Sequence, residues 1–149
     1  MTIPSKRILG IIPCSKEKIW DVQPHLEAVQ AQYAYRSAFH RYAKDFVKKN
    51  CSQYLIFSAK YGFLSPEDWI EGPYDVTFSR PNDPYISETE LARQAQKLQG
   101  FTEIWVVCPR TYAQKVESAC MPFSPHFHFP LRGIGGFGAM HRFLRIQTA

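Results

Sequence analysis

Hydrophobic and polar positions divide the chain into short apolar runs separated by stripes of helical period. Ile8-Leu9-Gly10-Ile11-Ile12 is short, rich in β-branched residues and stopped by Pro13, which predicts a buried strand. Tyr54-Leu55-Ile56-Phe57, Glu103-Ile104-Trp105-Val106-Val107-Cys108 and Phe127-His128-Phe129 predict three more strands. Leu26, Val29, Tyr33, Phe39, Tyr42, Phe46 and Val47 recur at three- and four-residue steps, predicting one long helix or two joined ones over 26–49. Ser87 with Glu90 three positions on predicts a boxed helix start, and Gly100 stops that helix after about Gln99. Thr111 predicts the cap of another helix through about Ala119. Met140, Phe143 and Leu144 share one face of a terminal helix. Strands alternating with helices imply an α/β fold, a three-layer sandwich with a mostly parallel four-stranded sheet and right-handed crossovers. At 149 residues, 1–149 reads as a single domain with a real core.

Reactive side chains collect where these strands end. The first strand runs into Pro13-Cys14-Ser15-Lys16-Glu17-Lys18. Ligands in open α/β sheets sit beyond the carboxyl ends of the strands, so Cys14, Ser15 and Lys18 are expected to face a crevice. The plain alternative is a polar loop that only caps and solvates. The second strand ends in Ser58-Ala59-Lys60-Tyr61-Gly62, and a left-handed Gly62 would aim Lys60 back across the strand ends. The following segment, 63–83, is long, irregular and carries Pro66, Gly72, Pro73 and Pro81. Within it, Tyr74 and Asp75 in Ile70-Glu71-Gly72-Pro73-Tyr74-Asp75 read as part of a flap over the site, or as solvated loop.

Ser37 and His40 fall three apart and share a helix face that Lys44 continues. Either both project into the crevice, or His40 sits at the edge of the core, bonded to a backbone carbonyl. Near the end, Arg132-Gly133-Ile134-Gly135-Gly136-Phe137-Gly138 leads into the terminal helix. Arg132 with the Gly133 and Gly135 amides would hold a phosphate or a base edge, against the alternative of a tight packing turn. Its GxGxxG spacing follows the last strand, with no acidic residue about 20 positions on, so a dinucleotide fold is a poor reading.

Composition narrows the partners. With 21% charged and 45% hydrophobic residues the chain is ordinary globular protein. A net charge of +5 and a pI near 9.1 favour a nucleotide or nucleic acid as partner, although no basic run is present. Aromatics at 15% include Trp20, Tyr33, Tyr35, Tyr61, Tyr74 and Tyr85 in polar company, either base-stacking surfaces or the rim of the core. Four cysteines without a CxxC pair read as free thiols, so neither a metal site nor a cofactor is implied. The one arrangement favouring a metal is Cys14 and Cys108, both after strands, with His40 nearby. Met1 to Lys6 lack the apolar core of a signal peptide, and no run approaches the roughly 18 apolar residues of a membrane span. A cytoplasmic location with no membrane partner is expected; the pattern specifies no oligomeric state.

Three stretches together resemble an uncharacterised domain family of bacteria and their phages: Cys14-Ser15-x-x-Lys18, Tyr35-x-Ser37-x-Phe39, and Ser58-Ala59-Lys60-Tyr61-Gly62-Phe63-Leu64 with Pro73-Tyr74-Asp75. More distantly, Pro13-Cys14, three residues, Lys18, the aromatic Trp20 and Ser37-x-x-His40 resemble the motif of archaeosine synthase. That resemblance implies a uracil-DNA glycosylase-like fold and a lysine nucleophile that adds to the nitrile of a deazaguanine base in transfer RNA. Ile19 and Trp20 depart from the Pro and Tyr of the motif, and the gap before Ser37 is longer.

The expected function is a nucleobase-acting enzyme performing base modification, exchange or N-glycosidic cleavage. Lys18 would be the nucleophile, with His40, Lys60 and Asp75 as catalytic partners. A lysine attacks carbon only when neutral, which requires a drop from about 10.4 through desolvation or neighbouring cations such as Lys16 and Lys60. His40 would shuttle the proton, Ser15 or Ser37 would bond the base, and Asp75 would bind a base edge or activate water. Cys14, Ser58, Gly62 and Tyr74 complete the expected binding set. The alternatives are a non-catalytic nucleotide- or nucleic-acid-binding module and, third, a hydrolase using Cys14 with His40.

Overall fold

A computed structural model describes residues 7–123 and 126–149; Met1 to Lys6, read above as lacking an apolar leader, lie outside the described residues. In chain order the elements are β1 (Ile8–Pro13), β2 (Val29–Gln30), α1 (Ala31–Ala34), α2 (Ala38–Asn50), β3 (Gln53–Ser58), β4 (Gly62–Leu64) and β5 (Trp69–Ile70). Then follow α3 (Glu88–Ala95), β6 (Glu103–Val106), α4 (Arg110–Cys120), β7 (His126–His128) and α5 (Phe137–Gln147). Among the described residues the central sheet has the order β4-β3-β1-β6-β7. β3, β1, β6 and β7 run parallel, and β4 turns back antiparallel along β3. A separate two-stranded antiparallel ribbon joins β2 to β5.

The apolar run of β1 is continuous because the strand lies mid-sheet with both faces covered. Successive side chains go to opposite sides. Leu9 and Ile11 join Phe57, Leu91 and Val116 in one core, while Ile12 joins Ala43, Val47 and Leu144 in the other. α2 and α5 pack together over one face and α3 with α4 over the other, which makes the three layers. At Gly10 a side chain would place Cβ 2.6 Å from the Val47 side chain, so glycine lets α2 lie close on β1. Among the described residues no helix is long and apolar enough to cross a membrane.

Several expectations need correction. Among the described residues the sheet has five strands, not four, because Ser58 pairs with Gly62 in a tight return that adds β4. Gly62 has φ +81°, and the Ser58 hydroxyl accepts from the Lys60 and Tyr61 amides at 3.1 Å, so side chain and glycine together close the turn. Alanine at Gly62 would be strained in φ and would place Cβ 2.2 Å from Gln94 Oε1, the acceptor for the Phe63 amide. Gly62→Ala should therefore destabilise by about 2 kcal/mol or more, measured by urea unfolding, and a loss below about 0.5 kcal/mol would contradict this account.

Of the one long helix or two joined ones expected over 26–49, two helices form, α1 and α2, and 26–30 lies outside both. The Ala31 and Gln32 amides donate to the Asp68 and Pro66 carbonyls, and Tyr35 bridges antiparallel to Lys18, so the chain is extended before α2. Cross-strand pairing wins over helical period there. Ser37 is the N-cap of α2, its hydroxyl accepting from the His40 amide at 3.1 Å.

Thr111 lies inside α4, whose N-cap is Pro109, with φ −60° and extended ψ. Ser87 caps α3 as expected, accepting from the Glu90 amide. The Glu90 carboxylate, however, turns to Arg93, and α3 gives way at Gln96 to a short 3-10 turn. The third strand ends at Val106, and the fourth of the expected strands is shifted by one residue, to His126–His128.

Candidate active site at the strand ends

β1 is followed in sequence by β3 on one side, and β6 is added later on the other, so the chain reverses direction across the sheet at β1. Crevices open at such switch points, beyond the carboxyl ends of the strands. A cleft of about 300 Å³ lies there. Cys14, Ser15, Lys16 and Lys18 enter it from β1, Ser37 and Phe39 from the start of α2, Asp75 and Arg80 from the long loop, and Tyr112 from α4.

Lys18 is the unusual member. It is only 4% exposed, and its ammonium donates to the Lys16 carbonyl at 3.2 Å. Its Nζ lies 4.3 Å from the centre of the Tyr74 ring and 6.0 Å from that of Tyr35. Among the described residues no carboxylate forms an ion pair with it. Burial therefore pushes its pKa below the ordinary lysine value, opposed by the electrostatic influence of the Cys14 sulfur and of the Asp75, Asp21 and Glu17 carboxylates. The backbone around it is held by the Lys18 amide donating to Asp21 Oδ2 at 2.9 Å.

Cys14 lies beside it. Burial raises the thiol's pKa, although the Ala59 amide, the Tyr112 hydroxyl, Lys18 and the Tyr74 hydroxyl all favour the thiolate. The thiol donates to the Tyr112 oxygen at 4.0 Å, and Tyr112 also meets the Thr77 hydroxyl at 3.2 Å. The resting group is thus a neutral thiol ringed by donors. Burial likewise raises the Tyr35, Tyr74 and Tyr112 hydroxyls, which stay protonated. Tyr74 links Ser58 and Tyr35 in one hydrogen-bonded chain. Ser58 already accepts two amides, so its own proton goes to the Tyr74 oxygen.

The expected site residues fall into groups. Cys14, Ser15, Lys18, Ser37 and Asp75 converge on the cleft. Ser15 and Ser37 are structural within it: the Ser15 hydroxyl donates to the Glu17 carbonyl at 2.6 Å and accepts from the Arg36 and Ser37 amides, leaving nothing for a ligand. Asp75 is held by Arg80 at 2.9 Å, and Arg80 also grips Asp83. Arg80 thereby lowers the Asp75 pKa and keeps it a carboxylate. Ser58 and Gly62 build the turn behind Tyr74. Lys60 is exposed and is not part of the cleft wall; its Nζ sits 5.3 Å from the Tyr74 ring centre. Arg132, Gly133 and Gly135 line a second cleft, described below.

His40 does not face the crevice. It is 1% exposed, its Nδ1–H donates to the Pro13 carbonyl at 2.7 Å, and its Nε2 is enclosed without a partner. Burial lowers its pKa to about 4, so it is neutral. It forms no hydrogen bond with Cys14, and its place is behind the site, fixing the strand end from which Cys14 emerges. Cys108 is buried and its thiol turns to the Ile11 carbonyl at 3.6 Å. Among the described residues no group of three or more His, Cys, Asp or Glu side chains is arranged to hold a metal ion.

Two residues that converge here, Tyr112 and Arg80, carried no role in the sequence reading, and Tyr35 entered it only as an aromatic in polar company and in the Tyr35-x-Ser37-x-Phe39 stretch. Tyr112 follows Cys108-Pro109 at a strand end, much as Lys18 follows Pro13-Cys14, and that parallel was the available signal. Trp20, matched above to the motif tyrosine, is instead a core anchor whose Nε1 donates to the Leu26 and Glu27 carbonyls at 3.1 Å. The aromatic residue that bridges to Lys18 is Tyr35.

Comparison with known proteins places these residues in a lineage. The sequence pattern of a family of unknown function, DUF6884, matches residues 9–146, which include every residue of the cleft. The chain belongs to DUF6884. A bacterial relative, "Uncharacterized protein YfjM" of Bacillus subtilis (strain 168), is 39% identical over 134 residues, 89% of each chain. No solved structure matches. The expected kinship with an uncharacterised bacterial domain family therefore holds, and the geometry of this DUF6884 cleft is the ground for reading its chemistry.

Proposed function

We propose that the chain is a nucleobase-acting enzyme in which Lys18 is the reacting amine. The observation that carries this is a lysine buried just beyond the end of β1 in an open cleft, lying over an aromatic face and, among the described residues, without an ion pair. Burying a charge without a partner is costly, so such a lysine is easily neutralised and becomes a nucleophile. Phe39, Phe137 and Tyr112 supply flat apolar walls of the kind that hold a base, while the Asp75 carboxylate and the Arg80 guanidinium supply an acceptor and donors for its edge. For a nitrile-bearing base, the Nζ lone pair would form the new N–C bond while one pair of C≡N electrons moves to the nitrile nitrogen. That nitrogen takes the proton the amine loses, and the adduct is an amidine joining the base to Lys18, from which water or a second amine must release it for turnover. The likeness of Pro13-Cys14-x-x-x-Lys18 to the archaeosine synthase motif supports this reading, with Tyr35 in place of Trp20 as the aromatic partner. We extend the same likeness to a uracil-DNA glycosylase-like arrangement of the sheet.

A second reading is favoured by a separate feature. His40 is turned away, Asp75 is tied to Arg80 and Cys14 is a neutral thiol, so neither of the expected proton carriers, His40 and Asp75, is free to act in the cleft, which fits a non-catalytic nucleotide-binding module. The deciding experiment screens nucleobases, nucleosides and oligonucleotides by thermal stability, then assays every stabilising compound for product by mass spectrometry. The enzyme reading expects a base or nucleoside to raise the midpoint and to be converted. Binding that falls steeply with salt and yields no product would replace it with the second.

A further inference from the structure

We propose that an anion-binding subsite adjoins the Lys18 cleft and takes the phosphate of the nucleotide whose base that cleft holds; this rests on the base-binding reading above. A second cleft, of about 390 Å³, has Arg110 and Arg132 in its wall and no carboxylate. Arg132 lies 3.7 Å over the Phe129 ring, which fixes the plane of its guanidinium, and Glu117 meets it at 3.6 Å. Arg110 has no ion pair among the described residues. Guanidinium groups match phosphate oxygens in bidentate geometry, and two of them with no wall carboxylate select an anion over a cation.

The two clefts are ends of one groove. A third depression between them shares Pro109 and Phe137 with the Lys18 cleft, and Arg110, Gly135 and Met140 with the arginine cleft. Phe137, at the junction, is 60% exposed and stacks on Phe39 with ring centres 5.0 Å apart. A free base would fill only the Lys18 end. A base carried on a sugar phosphate would also cover the Phe137 ring and reach the guanidiniums. The substrate class is therefore a nucleotide, its phosphate either a free monoester or a diester within a strand.

Calorimetric titration of the full chain at low salt tests this with nucleosides, their 5′- and 3′-monophosphates, and dinucleotides with a bridging phosphodiester. For the base that binds, a phosphate-bearing form should bind about 10-fold more tightly than the nucleoside. Arg110→Gln combined with Arg132→Gln should abolish that gain and leave nucleoside affinity unchanged. Arg110→Gln alone, at an exposed position, should lose part of the gain with no change in melting temperature. A gain with monophosphates assigns a free nucleotide and a gain restricted to dinucleotides assigns a strand; both support the subsite. Nucleoside binding that depends on Lys18 but gains nothing from phosphate, or a gain that survives in the double variant, overturns the subsite and leaves the base pocket standing. Absence of any nucleoside binding overturns the base pocket and the subsite with it.

Discussion

Lys18→Met should abolish the response to the bound base while leaving the folded protein at least as stable as the wild type. A ligand present at about 100 times its Kd adds roughly 2.7 kcal/mol to wild-type stability, which in a domain of this size is roughly 5–10 °C in melting temperature. The methionine variant should lose nearly all of that shift, and any product formation with it. Stability should not fall, because methionine keeps an unbranched apolar side chain in the buried position beside Tyr74 and removes an ammonium that burial disfavours. The sign of the pH dependence follows. With its folded pKa depressed, Lys18 binds its proton less readily in the native than in the unfolded state. Wild-type stability therefore rises with pH through the window between the lowered value and 10.5, and Lys18→Met lacks that rise. Lys18→Arg separates charge from nucleophilicity: it retains anion attraction but cannot be neutralised, so turnover should vanish even where binding persists. Full turnover in either variant would remove Lys18 from the chemistry.

Acidification from pH 7 to pH 4 should cost the protein about 3 kcal/mol through His40 alone. The imidazole has one proton to place and places it, Nδ1–H donating to the Pro13 carbonyl, while Nε2 is enclosed with no acceptor for a second. Its pKa accordingly falls from 6.5 to about 4, chiefly through burial, with Lys44 adding to the fall and the Pro13 bond opposing it. The unfolded chain binds the proton between those values and the native state does not, so stability is complete above pH 6.5 and is lost as pH falls toward 4. At 1.36 kcal/mol per pH unit that interval gives about 3 kcal/mol. Carboxylates with lowered pKa, such as Asp75, Asp83 and Glu90, lose their contribution only below their ordinary values of 3.8 to 4.5, so the range from pH 6.5 to 5 isolates the histidine. Urea unfolding at several pH values should show that slope in the wild type and a flat line in His40→Gln, whatever the absolute stability of the variant. An equal slope in both proteins would mean that His40 takes up its proton in the folded state.

The strands β1, β3 and β6 were legible because a run of Ile, Leu and Val covered on both faces looks the same in the sequence as in the sheet. The Ser87 cap was legible because its partner is three residues away. β4 was not, since Gly62-Phe63-Leu64 is too short to show a period and is a strand only by pairing with β3. The break before α2 was hidden for a related reason. The positions from Leu26 to Tyr33 keep helical spacing, yet Val29 and Gln30 pair with Ile70 and Trp69, and the Ala31 and Gln32 amides go to Asp68 and Pro66, all far along the chain. In the site, Cys14 and Lys18 stood out as reactive side chains at a strand end. Arg80 did not, because its place at the cleft depends on how the long loop folds and pairs it with Asp75 and Asp83. The orientation of His40 depended on which side of β1 the α2 helix packs, and Ser37-x-x-His40 reads the same for either.

Period, caps and strand ends, all set by near neighbours along the chain, determined by themselves that this is an α/β domain whose Cys14-to-Lys18 segment emerges beside a crevice. Tertiary structure alone decided the charge state of that segment. Lys18 is pushed toward neutrality, Cys14 is kept a thiol and His40 is sealed behind Pro13 because Tyr35, Tyr74 and Tyr112 arrive from three separate elements and exclude water. Desolvation is a property of the whole assembled surroundings, and no local spacing of residues encodes it.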